Sequence, residues 1–352
     1  MNRKLLFTEP PYSIWRENGI RQEAVEFLQH MVLGSGGVIY EHKTTSQIIP
    51  QLQNPELLYV AEGDEIMATV VFCRNEVGVA GHTFNSQYGR YFAAAPKFKG
   101  RGLVKKFSAH VMDLVREGEK EKTIFFGVVE EKNKASYKVS SSVGYRPIGK
   151  IKTIGFSRFF PRHSRRIEKI TTTEEKEAVL NLLQNYYRGH SLVHFNFIFL
   201  NEGYFVIREN GEIVAGAQVH LGHWVIKRMP GLLGKILLNV VPHLPVLNGI
   251  FNPRKFKFAS FEGIFCKPGY EDRLFELFEG LLAKQKLKTA MFWMAEKSSY
   301  YQKIIEHGRL GLFHTFIKGS DTQVMASFRN MSPEEEKLFE EHPVYACALD
   351  YL

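Results

Sequence analysis

The sequence reads as an α/β protein in which one order of elements occurs twice within 352 residues. Three observations predict this. A glycine-punctuated basic loop joins an apolar strand to an amphipathic helix. The hairpin segment Glu65-Ile66-Met67-Ala68 returns as Glu212-Ile213-Val214-Ala215, 147 positions on. The chain is also too long for one small core, which suggests two domains.

In the first copy, Ala24, Phe27, Leu28, Met31 and Val32 recur at helical spacing and predict the first helix. Leu57 to Ala61 and Glu65 to Cys73 predict a hairpin turning at Gly63-Asp64. The run Tyr91-Phe92-Ala93-Ala94-Ala95 leads into Pro96-Lys97-Phe98-Lys99-Gly100-Arg101-Gly102-Leu103, and Leu103, Phe107, Val111 and Val115 then mark a helix. A helix N-terminus presents unpaired N–H groups and partial positive charge, so it attracts phosphate. Gly100 and Gly102 let backbone approach an anion closely, and Lys97, Lys99, Arg101, Lys105 and Lys106 add charge. The loop reads as a pyrophosphate cradle. It has neither the Gly-x-x-x-x-Gly-Lys-Ser/Thr of a P-loop nor a Gly-x-Gly-x-x-Gly opening a βαβ unit. Beyond the helix, Thr123-Ile124-Phe125-Phe126-Gly127-Val128-Val129 suits a buried strand. Asn133-Lys134-Ala135-Ser136 and a short helix ending at Gly144-Tyr145 follow.

The same order returns after a basic junction, residues 159–166. Val179, Leu182, Leu183 and Tyr186 form a helical stripe behind the capping-box residues Thr172 and Glu175. Tyr204 to Ile207 and Glu212 to Val219 predict a hairpin turning at Asn210-Gly211, and Phe261 to Phe265 precede a helix bearing Leu274, Leu277, Phe278 and Leu281. Matching the helices instead of the hairpins lengthens the offset and places an apolar insertion at 229–253. Its runs are broken by Lys235, Asn239, Pro242, His243 and Pro245, so it is no membrane span. It reads as a flap over a cleft, a dimer contact or a surface-lying segment. The second loop, Gly269-Tyr270-Glu271-Asp272-Arg273, sets two carboxylates where the first has Lys-Gly-Arg-Gly, and would repel phosphate. The expected organisation is residues 1–158, the junction, and 167–352 as a degenerate copy that shapes the acceptor cleft.

The basic loop resembles the acyl-coenzyme A loop of the GNAT N-acetyltransferase superfamily, Arg/Gln-x-x-Gly-x-Gly/Ala, with Lys97 at the first position. The later Asn-x-x-Ser and Gly-Tyr pairs match the second half of that family's cofactor site. The resemblance implies a tandem GNAT fold, each copy a mixed, mostly antiparallel sheet flanked by helices. It implies an acyl-CoA-dependent N-acyltransferase, most readily acetyl transfer from acetyl-CoA to a primary amine of a small molecule or peptide by direct attack in a ternary complex. The residues implied in cofactor binding are Phe92, Ala93, Ala94, Ala95, Lys97, Phe98, Lys99, Gly100, Arg101, Gly102, Leu103, Lys105, Asn133, Ser136 and Tyr137. The family often places a thiolate-protonating Tyr where this chain has Ser140; Tyr137, three residues and less than one helical turn earlier, is the substitute, with Ser140, Tyr145 or water as alternatives. His82 and Tyr88 are the candidate bases on the strand before the loop, where the family's usual Glu is missing, and an ordered water chain is the alternative.

The net charge of +9 suits an anionic ligand. Cys73, Cys266 and Cys347 are scattered and odd in number, which favours a reducing, cytoplasmic setting over a disulfide framework or a metal site. The competing functions are an aminoacyl, peptidyl or fatty acyltransferase of tandem GNAT-like fold, a CoA-binding sensor, and an RNA-binding protein. No RNP-type aromatic motif supports the last.

Overall fold

The computed structural model describes residues 3–34, 37–100, 102–317 and 320–352; Arg101 of the glycine loop lies outside them. The first half runs β1 (Arg3–Glu9), β2 (Tyr12–Asn18), α1 (Gln22–Gln29), β3 (Ile39–His42), α2 (Thr45–Ile48), β4 (Pro55–Glu62), β5 (Glu65–Val79), β6 (His82–Ala94), α3 (Leu103–Glu117), β7 (Thr123–Glu130), α4 (Lys134–Ser142) and β8 (Arg146–Ser157). The second half runs β9 (Ile167–Lys169), α5 (Thr173–Tyr186), β10 (Tyr204–Glu209), β11 (Glu212–Arg228), α6 (Gly231–Asn239), α7 (Pro245–Asn248), β12 (Phe256–Cys266), α8 (Glu271–Lys284), β13 (Thr289–Ala295), α9 (Ser299–His307), α10 (Leu312–Ile317), β14 (Asp321–Arg329) and α11 (Pro333–Glu341).

Local signals explain most boundaries. Asn210 and Gly211 both hold positive φ, 51° and 84°, as a two-residue turn matched to strand twist requires. The Thr172 hydroxyl accepts from the Glu175 amide, and Glu175 caps back, so α5 begins where the capping box predicts. α1 is shorter than its apolar spacing suggests: the helix stops before His30, leaving Met31 and Val32 beyond it. The insertion carries α6 and α7 between β11 and β12.

Among the described residues, fourteen strands form one sheet in the order β1-β2-β4-β5-β6-β7-β14-β8-β13-β12-β11-β10-β9, with β3 against β11. Only β6/β7 and β12/β13 pair in parallel; the other pairs are antiparallel. The centre of the sheet is an exchange. β14, from late in the chain, pairs with β7 from Thr322↔Glu130 to Arg329↔Thr123, and β8 pairs with β13 from Thr289↔Ser157 to Ala295↔Ile151. Each half therefore completes the other's edge, which removes two ladders of unpaired backbone groups from solvent.

The two sheet faces are packed differently. On one face, α3 seats Phe107, Val111, Met112 and Val115 against Leu58, Val60, Phe72 and Phe125. On the same plan in the second half, α8 seats Leu274, Leu277, Phe278 and Leu281 against Phe156, Phe261 and Phe292. A third core includes residues of both halves together with Val344, Tyr345, Cys347, Ala348, Leu349 and Leu352.

Residues 1–158 expressed alone lose the β14 partner of β7 and both partners of β8. This fragment is expected to aggregate or give no cooperative melt, whereas co-expression with 163–352 restores a complex with one thermal transition. Circular dichroism and gel filtration of the two preparations check this.

Candidate active site

The parallel pair β6/β7 creates the site. The strands pair only from Asn85↔Thr123 to Tyr88↔Phe126. Beyond that point β6 follows β5 to Ala94 and β7 follows β14 to Glu130, so the two diverge into a fork. Gly127 sits at the branch point, where an added Cβ would lie 3.0 Å from the Gly89 carbonyl oxygen. Next to it β6 bulges: Arg90 faces Val71 and Ala93 faces Thr69, so Tyr91 and Phe92 together oppose a single residue. Tyr91 has φ 52°, a strained value for a side chain of its size, and its carbonyl accepts from the Thr69 hydroxyl at 3.0 Å. The bulge turns backbone groups out of the ladder and toward the fork.

At the open end of the fork, β6 passes through a 3₁₀ turn, Pro96–Phe98, into the glycine loop. Phe98 is fully buried and anchors the turn. Gly100 and Gly102 have φ 80° and 73°, and an added Cβ at either would meet nothing within 4 Å. The loop is thus shaped by backbone conformation and leaves free space beside it. The Lys97 ammonium is drawn to Glu65, and that of Lys106 to Glu9. Lys99 and Lys105 are exposed and make no ion pair among the described residues. Asn133 caps α4, its Oδ1 accepting from the Ser136 amide at 3.1 Å. The start of α3, where no side chain caps the helix, two exposed lysines and a strand edge at the fork fit the phosphates and amide-bearing arm of coenzyme A.

A cavity of 430 Å³ passes through the fork and reaches both faces of the sheet. Its chamber on the α3 and α4 side is apolar, lined by Leu58, Val60, Val70, Phe72, Phe107, Val111 and Val143, with Ser108, Ser140 and Tyr145 interspersed. The opposite chamber is aromatic and polar, with Tyr40, His42, Tyr88, Arg90, Trp224, Trp293 and Asp350. Here Tyr40 stacks on Trp224 at 4.5 Å between ring centroids and donates to Glu130 at 2.8 Å. Arg90 donates to the Leu349 carbonyl at 3.0 Å, and its guanidinium lies 3.8 Å from Asp350. Burial dominates at Asp350: its side chain is only 9% exposed, and the carboxyl is pushed up to about 7 despite the nearby arginine. The His42 imidazole is pulled down to about 3 by burial and the Arg90 charge. Its Nε2 has no hydrogen-bond partner among the described residues.

The structure brings together Tyr88, Phe92, Phe98, Asn133, Ser136 and Ser140, all on the cavity wall. Ala93, Ala94 and Ala95 are buried behind it. Leu103 begins α3 beside the loop. Tyr137 lies apart from this group. It is 39% exposed and outside the cavity lining, because it sits roughly 100° around α4 from Ser136. His82 is further removed. It starts β6 at the hairpin tip, six residues and about 20 Å of extended chain from Tyr88. Lys122 and Glu335 are its neighbours there.

Sequence reasoning missed Asp350, Arg90, His42 and the bulge. Asp350 carried one signal, a lone acid in the apolar run Ala346-Cys347-Ala348-Leu349-Asp350-Tyr351-Leu352. The fold also sets donor atoms of His194, Cys347 and Asp350 within 4.8 Å of one another, a proximity that the sequence spacing of the cysteines did not suggest.

The second fork has the same plan around a smaller cavity of 240 Å³, walled by Tyr187, Glu262, Trp293 and Tyr345. β12 and β13 pair from Ala259↔Ala290 to Phe261↔Phe292, then diverge beside a bulge at Gly263, φ 54°. Glu262 stands where the first fork has Arg90. Tyr204 donates to the Gly263 carbonyl at 3.0 Å and Tyr187 to that of Ile264 at 2.6 Å. Tyr345 and the Ala348 amide both donate to Glu262, at 3.3 and 3.2 Å. Before α8, Glu271 accepts from the Gly269 amide at 3.3 Å, and Glu271 and Asp272 place two carboxylates in the first turn of the helix, where they oppose an anionic ligand.

No family model and no curated protein matches the sequence. Solved structures do match in shape. N-myristoyltransferase from Saccharomyces cerevisiae with bound myristoyl-CoA and inhibitors aligns over 97% of this chain and 87% of its own, with TM-score 0.61 at 8% identity. The same enzyme with bound myristoyl-CoA aligns over 94% and 87%, with TM-score 0.60 at 9% identity. A tandem GNAT protein from the clavulanic acid biosynthesis pathway aligns over 79% and 84%, with TM-score 0.46 at 12% identity. These likenesses show the fold alone: the chain shares the architecture of N-myristoyltransferase, a large, mostly antiparallel sheet flanked by helices.

Gly102→Val forces a β-branched residue into left-handed backbone and is expected to cost about 1–2 kcal/mol of stability. Because no protein atom crowds the site, a loss of coenzyme A affinity beyond that of a loop substitution of equal stability cost reports the ligand path. Thermal shift with and without coenzyme A measures both effects.

Proposed function

We propose that this protein is an acyl-CoA-dependent N-acyltransferase whose donor carries a chain longer than acetyl. The observation that supports this most is the apolar chamber on the α3 and α4 side of the fork, which an acetyl group would leave largely empty. The myristoyl-CoA bound by the structural neighbours points the same way. Acetyl transfer is the smaller-donor version of the same reaction. The acceptor is a primary amine, of a small molecule or peptide, entering the aromatic chamber.

The thioester supplies the acyl group, and the chain's residues do the rest. The loop amides with Lys99 and Lys105 hold the phosphates, and the bulge at Tyr91 and Phe92 offers backbone N–H to the carbonyl oxygen as charge develops there. Asp350 takes the proton from the attacking ammonium. Its affinity near pH 7 suits that task, whereas an imidazole titrating near 3 is too weak a base, so His42 serves as a hydrogen-bond acceptor that orients the amine. As the amide bond forms and the C–S bond breaks, the second proton of the attacking nitrogen passes by way of water and the Ser140 hydroxyl, which lines the cavity, to the departing sulfur, leaving Ser140 neutral. Tyr137, exposed on α4, has no part in that step.

Coenzyme A release with a chain-length series of acyl-CoA donors and an amine library tests the reading. Longer acyl-CoAs are expected to raise the melting temperature and turn over faster than acetyl-CoA. Ser108→Trp, which fills the apolar chamber, should cut activity with long donors more than tenfold by occluding bound volume and spare acetyl-CoA. Equal preference for acetyl-CoA before and after that change defeats the proposal.

Asp350→Asn is expected to lower kcat by about 10²-fold, the scale of general-base assistance, with coenzyme A affinity retained. In the wild type, kcat/KM should rise with pH to a plateau above about 7, because the base acts only when ionised. The variant should lose this limb. Ser140→Ala should slow turnover more than Tyr137→Phe does.

A further inference from the structure

Between Glu212 and Glu262 the chain has no aspartate or glutamate, yet it carries Lys227, Arg228, Lys235, Arg254, Lys255 and Lys257. The insertion lies in the middle of this stretch. α6 buries Gly234 and Leu237 and turns Leu232, Leu233, Ile236 and Val240 to solvent, Leu232 being 76% exposed. At ~100° per residue these four side chains share one sector about 100° wide, with Lys235 about 60° beyond its edge. Leu244 and Val246 extend the apolar surface. Beyond the insertion, the Lys288 side chain reaches Gly249 and its ammonium lies 5.6 Å from the ring of Phe160, which is 79% exposed. The inward side of the same segment is in use, since Met229, Pro230 and Phe251 line the cavity.

We propose that the outer face of this insertion docks on an anionic lipid bilayer. Lys227 is held by Glu41, which leaves Arg228, Lys235, Arg254, Lys255 and Lys257 without an ion pair among the described residues, and a sector of leucine and isoleucine beside these cations matches the headgroup boundary of such a surface. Contact with a second copy is disfavoured by charge, because an isologous interface would set the same cations against each other. No helix of the described residues is long and apolar enough to cross a membrane, so the contact is interfacial. α6 then lies along the bilayer with its apolar sector at the acyl boundary, and the cavity wall formed by Met229 and Pro230 sits directly behind the docked face.

Co-sedimentation of the full chain with vesicles tests this, using phosphatidylcholine alone and phosphatidylcholine mixed with phosphatidylglycerol. The chain is expected to pellet with the mixed vesicles, much less with phosphatidylcholine alone, and to be released by high salt. L232S/L233S/I236S should weaken binding at least about tenfold through lost apolar contact, with an unchanged melting curve because all three side chains are exposed. K235E/R254E/K255E should also weaken binding to the mixed vesicles. Failure of the wild type to bind, or undiminished binding by either variant, overturns the proposal. So does light scattering that shows a wild-type dimer, broken by the serine substitutions, with no vesicle binding: that outcome assigns the face to a second copy.

Discussion

The exchange of β8 and β14 is the constraint on which the rest of the structure depends. A parallel strand pair gains backbone hydrogen bonds by staying together, so an open fork needs each strand held from its outer side. β5 holds β6 through the bulge to Ala94, and β14 holds β7 to Glu130. Because β14 belongs to the second half, the first fork stays open only when the second half is in place. The same argument applied to β13 makes the second fork depend on β8.

From this symmetric frame the two forks diverge in chemistry. Arg90 and Glu262 occupy matching positions beside matching bulges, and both bind the same chain segment. Arg90 takes the Leu349 carbonyl and faces Asp350, while Glu262 takes Tyr345 and Ala348. The segment lines the fork that has no glycine loop and delivers a carboxylate to the fork that has one. Glu262 stays ionised in the interior: burial raises it, but the His220 hydrogen bond and charge bring it below the usual carboxylate range. The second half thereby acts as a scaffold that sets the position of residues at the first site.

Much of the first site was legible because its signals are local. Gly100 and Gly102 announce left-handed backbone before a helix, Asn133 announces a cap, and the strand runs around Phe92 and Phe125 follow from apolar continuity. The second copy was legible through hairpins and caps such as Asn210-Gly211 and Thr172/Glu175. What could not be read was non-local. Nothing near Thr123 indicates that β14 rather than β8 will pair beside it, and nothing near Asp350 indicates Arg90 across the sheet. Tyr137 and His82 show the converse: spacing along the chain suggests both for the site, but helix phase and strand length carry them outside the cavity lining. The strained Tyr91 is invisible because a bulge depends on the partner strand's register.

The strand exchange also bears on how the chain matures on the ribosome. β7 and β8 emerge early, yet the strand that lies between them begins only at Asp321, after 164 residues more than Ser157. At cellular elongation rates that interval lasts roughly 8 to 30 s. Throughout it, the nascent first half presents two apolar strand edges with nothing to pair, a hazard for β-augmentation by neighbouring chains. Such a protein is an expected client of chaperones that bind extended apolar segments during synthesis, and its yield should respond to translation speed more than its thermodynamic stability would suggest.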